Sequence, residues 1–267
     1  MSTTISTSDF LLALTLTLLA GLSTGLGSLI AFFAKRTNHR FLSAALGLSA
    51  GVMIYVSFME LLPESVHLLQ SSYGTKTAEA SMLVAFFLGI GLIALIDRLV
   101  PSDENPHEVH LPNDLNKAPQ LKRTGLLMAL AIGIHNFPEG LATFATALTE
   151  LDIALPIVLA VAIHNIPEGI AVSVPIYHAT GNRRKAFFYF FLSGMAEPLG
   201  ALLGFLFLYP FWTAELHAAL LALVSGIMVY ISFDELLPGT EKYGYHHYGV
   251  VGVVAGMAVM ALSLLLL

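Results

Sequence analysis

The chain has 267 residues, of which 56% are hydrophobic and only 11% charged, with a net charge of −6 and no cysteine. An ordinary soluble domain carries about 25% charged residues, so this composition excludes a soluble globular fold and points to an all-α polytopic membrane protein. Without cysteine there is neither a disulfide frame nor a thiolate metal site, and no basic stripe marks a nucleic-acid partner.

Taken in chain order, eight segments reach the roughly 20 apolar residues a helix needs to cross a bilayer. They are Phe10–Ala34, Phe41–Pro63, Ala80–Val100, Gly125–Leu148, Ile153–Tyr177, Ala186–Leu208, Ala214–Leu237 and Gly249–Leu267. The first has no basic segment before it and reads as a retained span, not a cleaved signal. Most connections are short. The exception, 101–124, is rich in Pro, Asp, Asn and Lys and reads as a mobile loop within a single domain covering 1–267.

Lys and Arg gather after spans 1, 3 and 5, at Lys35, Arg36 and Arg40, at Arg98, Lys117, Lys122 and Arg123, and at Arg183, Arg184 and Lys185. The positive-inside rule puts those loops in the cytoplasm. Both termini are then expected outside, with the protein in the cytoplasmic (inner) membrane.

The sequence repeats itself twice. GVMIYVSFMELLP (51–63) matches GIMVYISFDELLP (226–238) at nine of thirteen positions, and AGLSTGLGSL (20–29) resembles SGMAEPLGAL (193–202) more weakly. Spans 1–3 and 6–8 therefore read as copies. The copies are five spans apart, an odd number, so they must run in opposite directions. Spans 4 and 5 carry the second duplication, IHNFPEG (134–140) and IHNIPEG (163–169). The expected architecture is a 3+2+3 inverted repeat, a plan common among secondary transporters, whose substrate sites lie at the repeat interface near mid-bilayer.

Residues i and i+4 share a helix face. His135 with Glu139, and His164 with Glu168, therefore converge, and Asn136 and Asn165 lie near the same faces. Pro138 and Pro167 lack an N–H and leave the carbonyls of Ile134 and Ile163 without their helical donors. Imidazole and carboxylate without sulfur suit divalent Zn, Fe, Mn or Co. Glu197, in span 6, adds a carboxylate whose counterpart in span 1 is only Thr24, and the set then has room for two adjacent ions bridged by Glu139 and Glu168. One buried His or Glu is ordinarily a packing or hydrogen-bonded residue. Five ionisable groups at one depth of the bilayer mark a functional site. Met59, Glu60 and Glu64 at the outer end of span 2, and Asp234 and Glu235 at the inner end of span 7, are candidate mouths of a cation route. His178 is a candidate extension of the inner one. In the long loop, His107, Glu108 and His110 form a loose candidate metal catcher.

HNFPEG, HNIPEG and AEPLG (196–200) resemble the signature of the ZIP (Zrt/Irt-like) family of divalent metal transporters, and the bacterial ZupT-type branch most of all. The resemblance covers essentially the whole chain. It implies import of zinc, and often iron, manganese, cobalt or cadmium, as transported substrate and not as catalytic cofactor. It also implies a binuclear site: one position on His135, Glu139, His164 and Glu168, the other on Asn136, Asn165 and Glu197, with the central glutamates shared. Some family members carry Gln-Asp where this chain has His164-Asn165. Homodimers are common in the family. Two other readings stay open on the residues alone. One is a membrane-embedded metalloenzyme, although the HExxH pattern is missing because Asn follows each His. The other is a passive divalent cation channel.

Overall fold

A computed structural model describes residues 6–33, 38–99, 117–149, 151–208, 211–241 and 244–266. Every regular element among them is helical. The helices are α1 (Thr7–Phe33), α2 (His39–Val56), α3 (Leu62–Tyr73), α4 (Thr75–Leu99), α5 (Lys117–Thr149), α6 (Leu151–Thr180), α7 (Arg183–Gly194), α8 (Ala196–Leu208), α9 (Ala214–Ile231), α10 (Leu237–Glu241) and α11 (His246–Leu266). Five-residue π-helical turns, Ser57–Leu61 and Ser232–Leu236, join α2 to α3 and α9 to α10. They occupy matching places in the long repeat, just before Pro63 and Pro238. Six stretches among the described residues are long and apolar enough to cross a membrane: Thr7–Gly27, His39–Tyr73, Thr75–Arg98, Arg183–Phe207, Ala214–Glu241 and His246–Leu265.

Local chemistry sets the helix ends. Asn38, Asn182 and Thr213 each cap a helix N-terminus by accepting from the backbone N–H three residues on. Gly74 (φ 77°) and Gly181 (φ 64°) take the left-handed conformation that lets α3 turn into α4 and α6 into α7. Two boundaries differ from the sequence expectation. Span 2 runs on to Tyr73, because the π turn lets the helix continue past Pro63. Helix α5 begins at Lys117, inside the stretch expected to be loop, with Pro119 in the first turn, where a missing N–H breaks no helical bond. The remainder of that loop lies outside the described residues.

The exterior is apolar and the interior is partly polar. Leu83, Val84, Phe87 and Leu88 of α4, Leu206 and Phe207 of α8 and Val251 and Val254 of α11 are exposed, while His135, Asn136, Glu139, Asn165, Glu168 and Glu197 are buried. Water would select the reverse; hydrocarbon favours this arrangement. The main apolar core, which includes Met53, Ile132, Val172, Ile227 and Met228, joins α2, α5, α6 and α9.

Helix α2 packs chiefly on α11, α4 on α9 and α1 on α6, while α8 packs chiefly on α5. These contacts come in matched pairs. A Cβ on Gly51 would strike the Val253 carbonyl and one on its repeat counterpart Gly226 the Phe86 carbonyl; Gly256 and Gly89 meet the carbonyls of Leu48 and Leu223 in the same way. Gly27 stands against the Ile166 carbonyl and its counterpart Gly200 against that of Phe137. Side chains follow the same rule: Ser43 donates to the Thr240 carbonyl (2.9 Å), and Ser65, the counterpart of Thr240, donates to the carbonyl of Ala218, the counterpart of Ser43 (2.8 Å). Small residues at such crossings let helix backbones touch.

Candidate metal centre

The duplicated heptapeptide lies on α5 and α6, which pack against each other and against α1 and α8. Both helices run unbroken through their prolines. The glycine after each glutamate sets the depth of packing. A Cβ on Gly140 would collide with the Glu197 carbonyl, and one on Gly169 with the carbonyl of Thr24. The two motifs are thus seated on matching points of α8 and α1, and one of those points is Glu197 itself.

Helix α8 starts immediately before that residue. Pro198 has no N–H for the Gly194 carbonyl, so the helical ladder is interrupted at Met195 and resumes at Ala196. Glu197 therefore occupies the first turn of a new helix, fully buried. The counterpart stretch of α1 contains no proline and continues without a break.

The histidine of one copy reaches the glutamate of the other. His135 Nε2 lies 2.9 Å from Glu168 Oε1 and 3.8 Å from Glu139 Oε2 of its own helix. His135 and Glu168 are completely buried and Glu139 is 6% exposed. Asn165 donates through Nδ2 to the Ala20 carbonyl (2.9 Å) and to Glu197 Oε1 (2.5 Å), which ties α6 to α1 and α8. Asn136 is fully buried, with neither amide atom hydrogen-bonded among the described residues. Glu168 Oε2, Glu197 Oε2 and Asn165 Oδ1 are likewise buried without such a partner. Buried polar atoms are ordinarily paired, so this set suits a ligand that accepts oxygen and imidazole donors, a divalent cation first among them. His164 lies on α6, but its side chain is outside the described residues. Among those that are described, no group of three or more His, Cys, Asp or Glu side chains is drawn together as a ready metal cage.

The other expected residues fall elsewhere. Met59 is 58% exposed, away from the interior, whereas Glu60, the repeat counterpart of Glu235, is half-buried. Glu64 is half-buried, 3.9 Å from His67. Asp234 and Glu235 are half-buried, and together with Asp97 they act electrostatically on the Tyr230 hydroxyl. Asp97 and Tyr230 were not singled out from the sequence, although an acid at the end of an apolar span is a legible signal. The side chain of His178, and the whole of His107, Glu108 and His110, lie outside the described residues. The Ala20 carbonyl was also missed, since no side chain announces a backbone acceptor.

Comparison with known proteins agrees with this chemistry. A family model described as ZIP Zinc transporter matches residues 100–264. A protein of Streptococcus mutans named Zinc transporter ZupT is 58% identical over 95% of this chain and 97% of its own length. Its namesakes in Nitratidesulfovibrio vulgaris and Akkermansia muciniphila are 57% and 53% identical, over 97% and 98% of this chain and 98% and 99% of theirs. They are named as transporters and not as enzymes, which sets the metalloenzyme reading aside. The chain belongs to the ZIP zinc transporter family.

Proposed function

We propose that this protein imports zinc across the cytoplasmic membrane, passing the ion through a mid-membrane centre built from the two copies of the HN-x-PEG motif. The observation that carries the proposal is the His135–Glu168 contact, 2.9 Å long and fully buried, which unites the copies inside an otherwise apolar bundle. An imidazole and carboxylates meeting there would replace the hydration shell that zinc sheds on entering the membrane.

The chain forms one transport domain with eight spans, the inverted 3+2+3 plan and both termini outside. The matched glycine contacts support the inverted relation, because each backbone crossing recurs at the residue the duplication pairs with it. His135, Glu139, His164 and Glu168 are the principal ligands. Asn136, Asn165 and Glu197 form the adjoining position, where a second ion would sit in a binuclear centre. Glu60 and Glu64 outside, and Asp234 and Glu235 inside, line the mouths, with Met59 and His178 at the same levels. His107, Glu108 and His110 collect metal in the cytoplasmic loop. The same ligand set admits iron, manganese, cobalt and cadmium, and two copies assemble as a homodimer.

The test is metal accumulation in cells stripped of their own importers. Wild type is expected to accumulate zinc, with His135→Ala and Glu168→Ala at background. Equal uptake by all three would remove the site assignment, and none by wild type would remove the function. Cadmium, iron, manganese and cobalt added as competitors report the selectivity. Uptake that fails to saturate would indicate a channel.

A further inference from the structure

Helix α7 has one face that the described residues leave uncovered. Phe187, Phe188 and Phe191 are 39%, 60% and 41% exposed, while Ala186 and Phe190 are buried. The buried side packs on α6, α1 and α5, the helices around the metal centre. Just ahead of the exposed rings stand Arg183, Arg184 and Lys185, all exposed as well. Arg184, Phe188 and Phe191 follow one another at i, i+4 and i+7 and so share a stripe. Hydrocarbon accounts for the rings of that stripe but not for its charge.

Three cations in the first turn of a helix oppose the helix dipole, whose N-terminal end is itself positive. No acidic residue shares that turn. Among the described residues, no carboxylate forms an ion pair with any of the three. Arg183 lies over the Tyr177 ring, 5.4 Å from its centroid, which orients the guanidinium and leaves its charge in place. The cap on Lys185 N–H is the neutral amide of Asn182, where an aspartate would also serve. The fold does not require this charge. In the weaker repeat the counterparts of the three cations are Phe10, Leu11 and Leu12 at the start of α1, beside Asp9.

We propose that this face of α7 is a docking surface for an anionic phospholipid, in the cytoplasmic leaflet given the orientation proposed above. The headgroup phosphodiester rests on Arg184 and Lys185, and the acyl chains run along Phe187, Phe188 and Phe191. Arginine can hold two phosphate oxygens at once, and lysine adds a point charge. Charge followed by rings along the stripe matches headgroup followed by hydrocarbon in a leaflet. A second copy of the chain is the poorer occupant, since two such faces meeting would set their cations against each other.

The experiment titrates the purified full-length protein in detergent with phosphatidylglycerol, phosphatidylcholine or inorganic phosphate, and reads thermal unfolding and the lipid retained in native mass spectrometry. Wild type is expected to be stabilised by phosphatidylglycerol and not by the other two. Arg184→Gln combined with Lys185→Gln should raise the apparent dissociation constant for phosphatidylglycerol at least about tenfold, since each basic residue at a membrane surface is worth about fivefold. Arg40→Gln combined with Arg98→Gln removes the same charge from α2 and α4 and should stay within about threefold of wild type. An equal loss in that control would mean attraction to the whole surface and would overturn the site. Equal stabilisation by phosphatidylcholine or by inorganic phosphate would also overturn it. Phe188→Ala keeps the test open should the charge variant fail to unfold cooperatively. A weaker phosphatidylglycerol response with unchanged oligomer size supports the lipid; an unchanged response, or a changed oligomer size in lipid-free detergent, overturns it. None of these outcomes touches the zinc site, which metal accumulation tests separately.

Discussion

Gly21 of α1 and Gly194 at the end of α7 press on each other reciprocally: a Cβ on either would lie 2.7 Å from the other's carbonyl oxygen. They are counterparts in the weaker repeat, so each stands opposite the residue that the duplication pairs with it. The Gly194 carbonyl is the one that Pro198 leaves without a helical donor, which brings a bare carbonyl to the crossing. Gly21→Ala and Gly194→Ala are each expected to destabilise the purified protein by about 1–3 kcal/mol, since backbone cannot yield as a side chain can. Gly91→Ala is the control. Its Cβ would meet nothing within 4 Å, and helix propensity favours alanine by about 1 kcal/mol. Thermal unfolding in detergent distinguishes them: the first two transitions fall and the third holds or rises.

The paired hydroxyls yield a second prediction. Ser43 donates to the Thr240 carbonyl and Ser65 to that of Ala218, both out of contact with water. Each bond contributes on the order of 1 kcal/mol. The two serines stand 22 positions apart on one rod, roughly 33 Å at 1.5 Å per residue, too far to share a partner. Ser43→Ala and Ser65→Ala should therefore lower stability by similar amounts, and the double variant by their sum within about 0.5 kcal/mol. A double variant no worse than either single one would mean that the two ends of the rod unfold as one unit.

The residues foretold some of these relations and concealed others. The meeting of His135, Glu139 and Glu168 was legible because two ionisable groups at helical spacing, inside an apolar run and repeated, leave few physical alternatives. The His135–Glu168 contact follows from that pattern once the copies face each other. The link from Asn165 to Ala20 was not legible, because any residue presents a backbone carbonyl. The π turns were hidden for a related reason. Ser57–Leu61 and Ser232–Leu236 look like ordinary apolar helix, and only the bond from Leu62 N–H to the Ser57 carbonyl, five residues back, exposes the extra residue in the turn. The break at Met195 could have been read from Pro198 within AEPLG, since a proline there leaves the Gly194 carbonyl without a helical donor.

Protons should compete with the transported ion. Zinc requires neutral imidazole and ionised carboxylate, so its affinity falls as these groups take up protons. Lowering the pH from 7.5 to 5.5 shifts the equilibrium towards the protonated, zinc-free centre, and the sign is fixed: apparent KM for uptake rises as pH falls. The rise is expected to exceed about threefold across that range. Initial rates of zinc uptake at each pH, with free zinc buffered by chelator, provide the measurement. A flat KM would mean that no ligand changes protonation in this window.

Glu168→Gln separates the ligand role from packing. Glutamine keeps the length and shape of the side chain and still presents an oxygen to the His135 ring, which is 2.9 Å away in the native protein. What it removes is a fully buried negative charge. Burying a carboxylate without a compensating cation costs free energy, so the metal-free variant should be at least as stable as metal-free wild type. Zinc binding reverses that order, because the ion loses one of the two charges that neutralise it. Apparent zinc affinity should fall at least about tenfold, equivalent to ~1.4 kcal/mol, and the thermal shift produced by saturating zinc should shrink accordingly. Two unfolding curves per protein, with chelator and with zinc, test both halves. If the variant unfolds earlier than wild type in chelator, Glu168 holds the bundle together and is more than a ligand; if the zinc shift is unchanged, it is not a ligand at all.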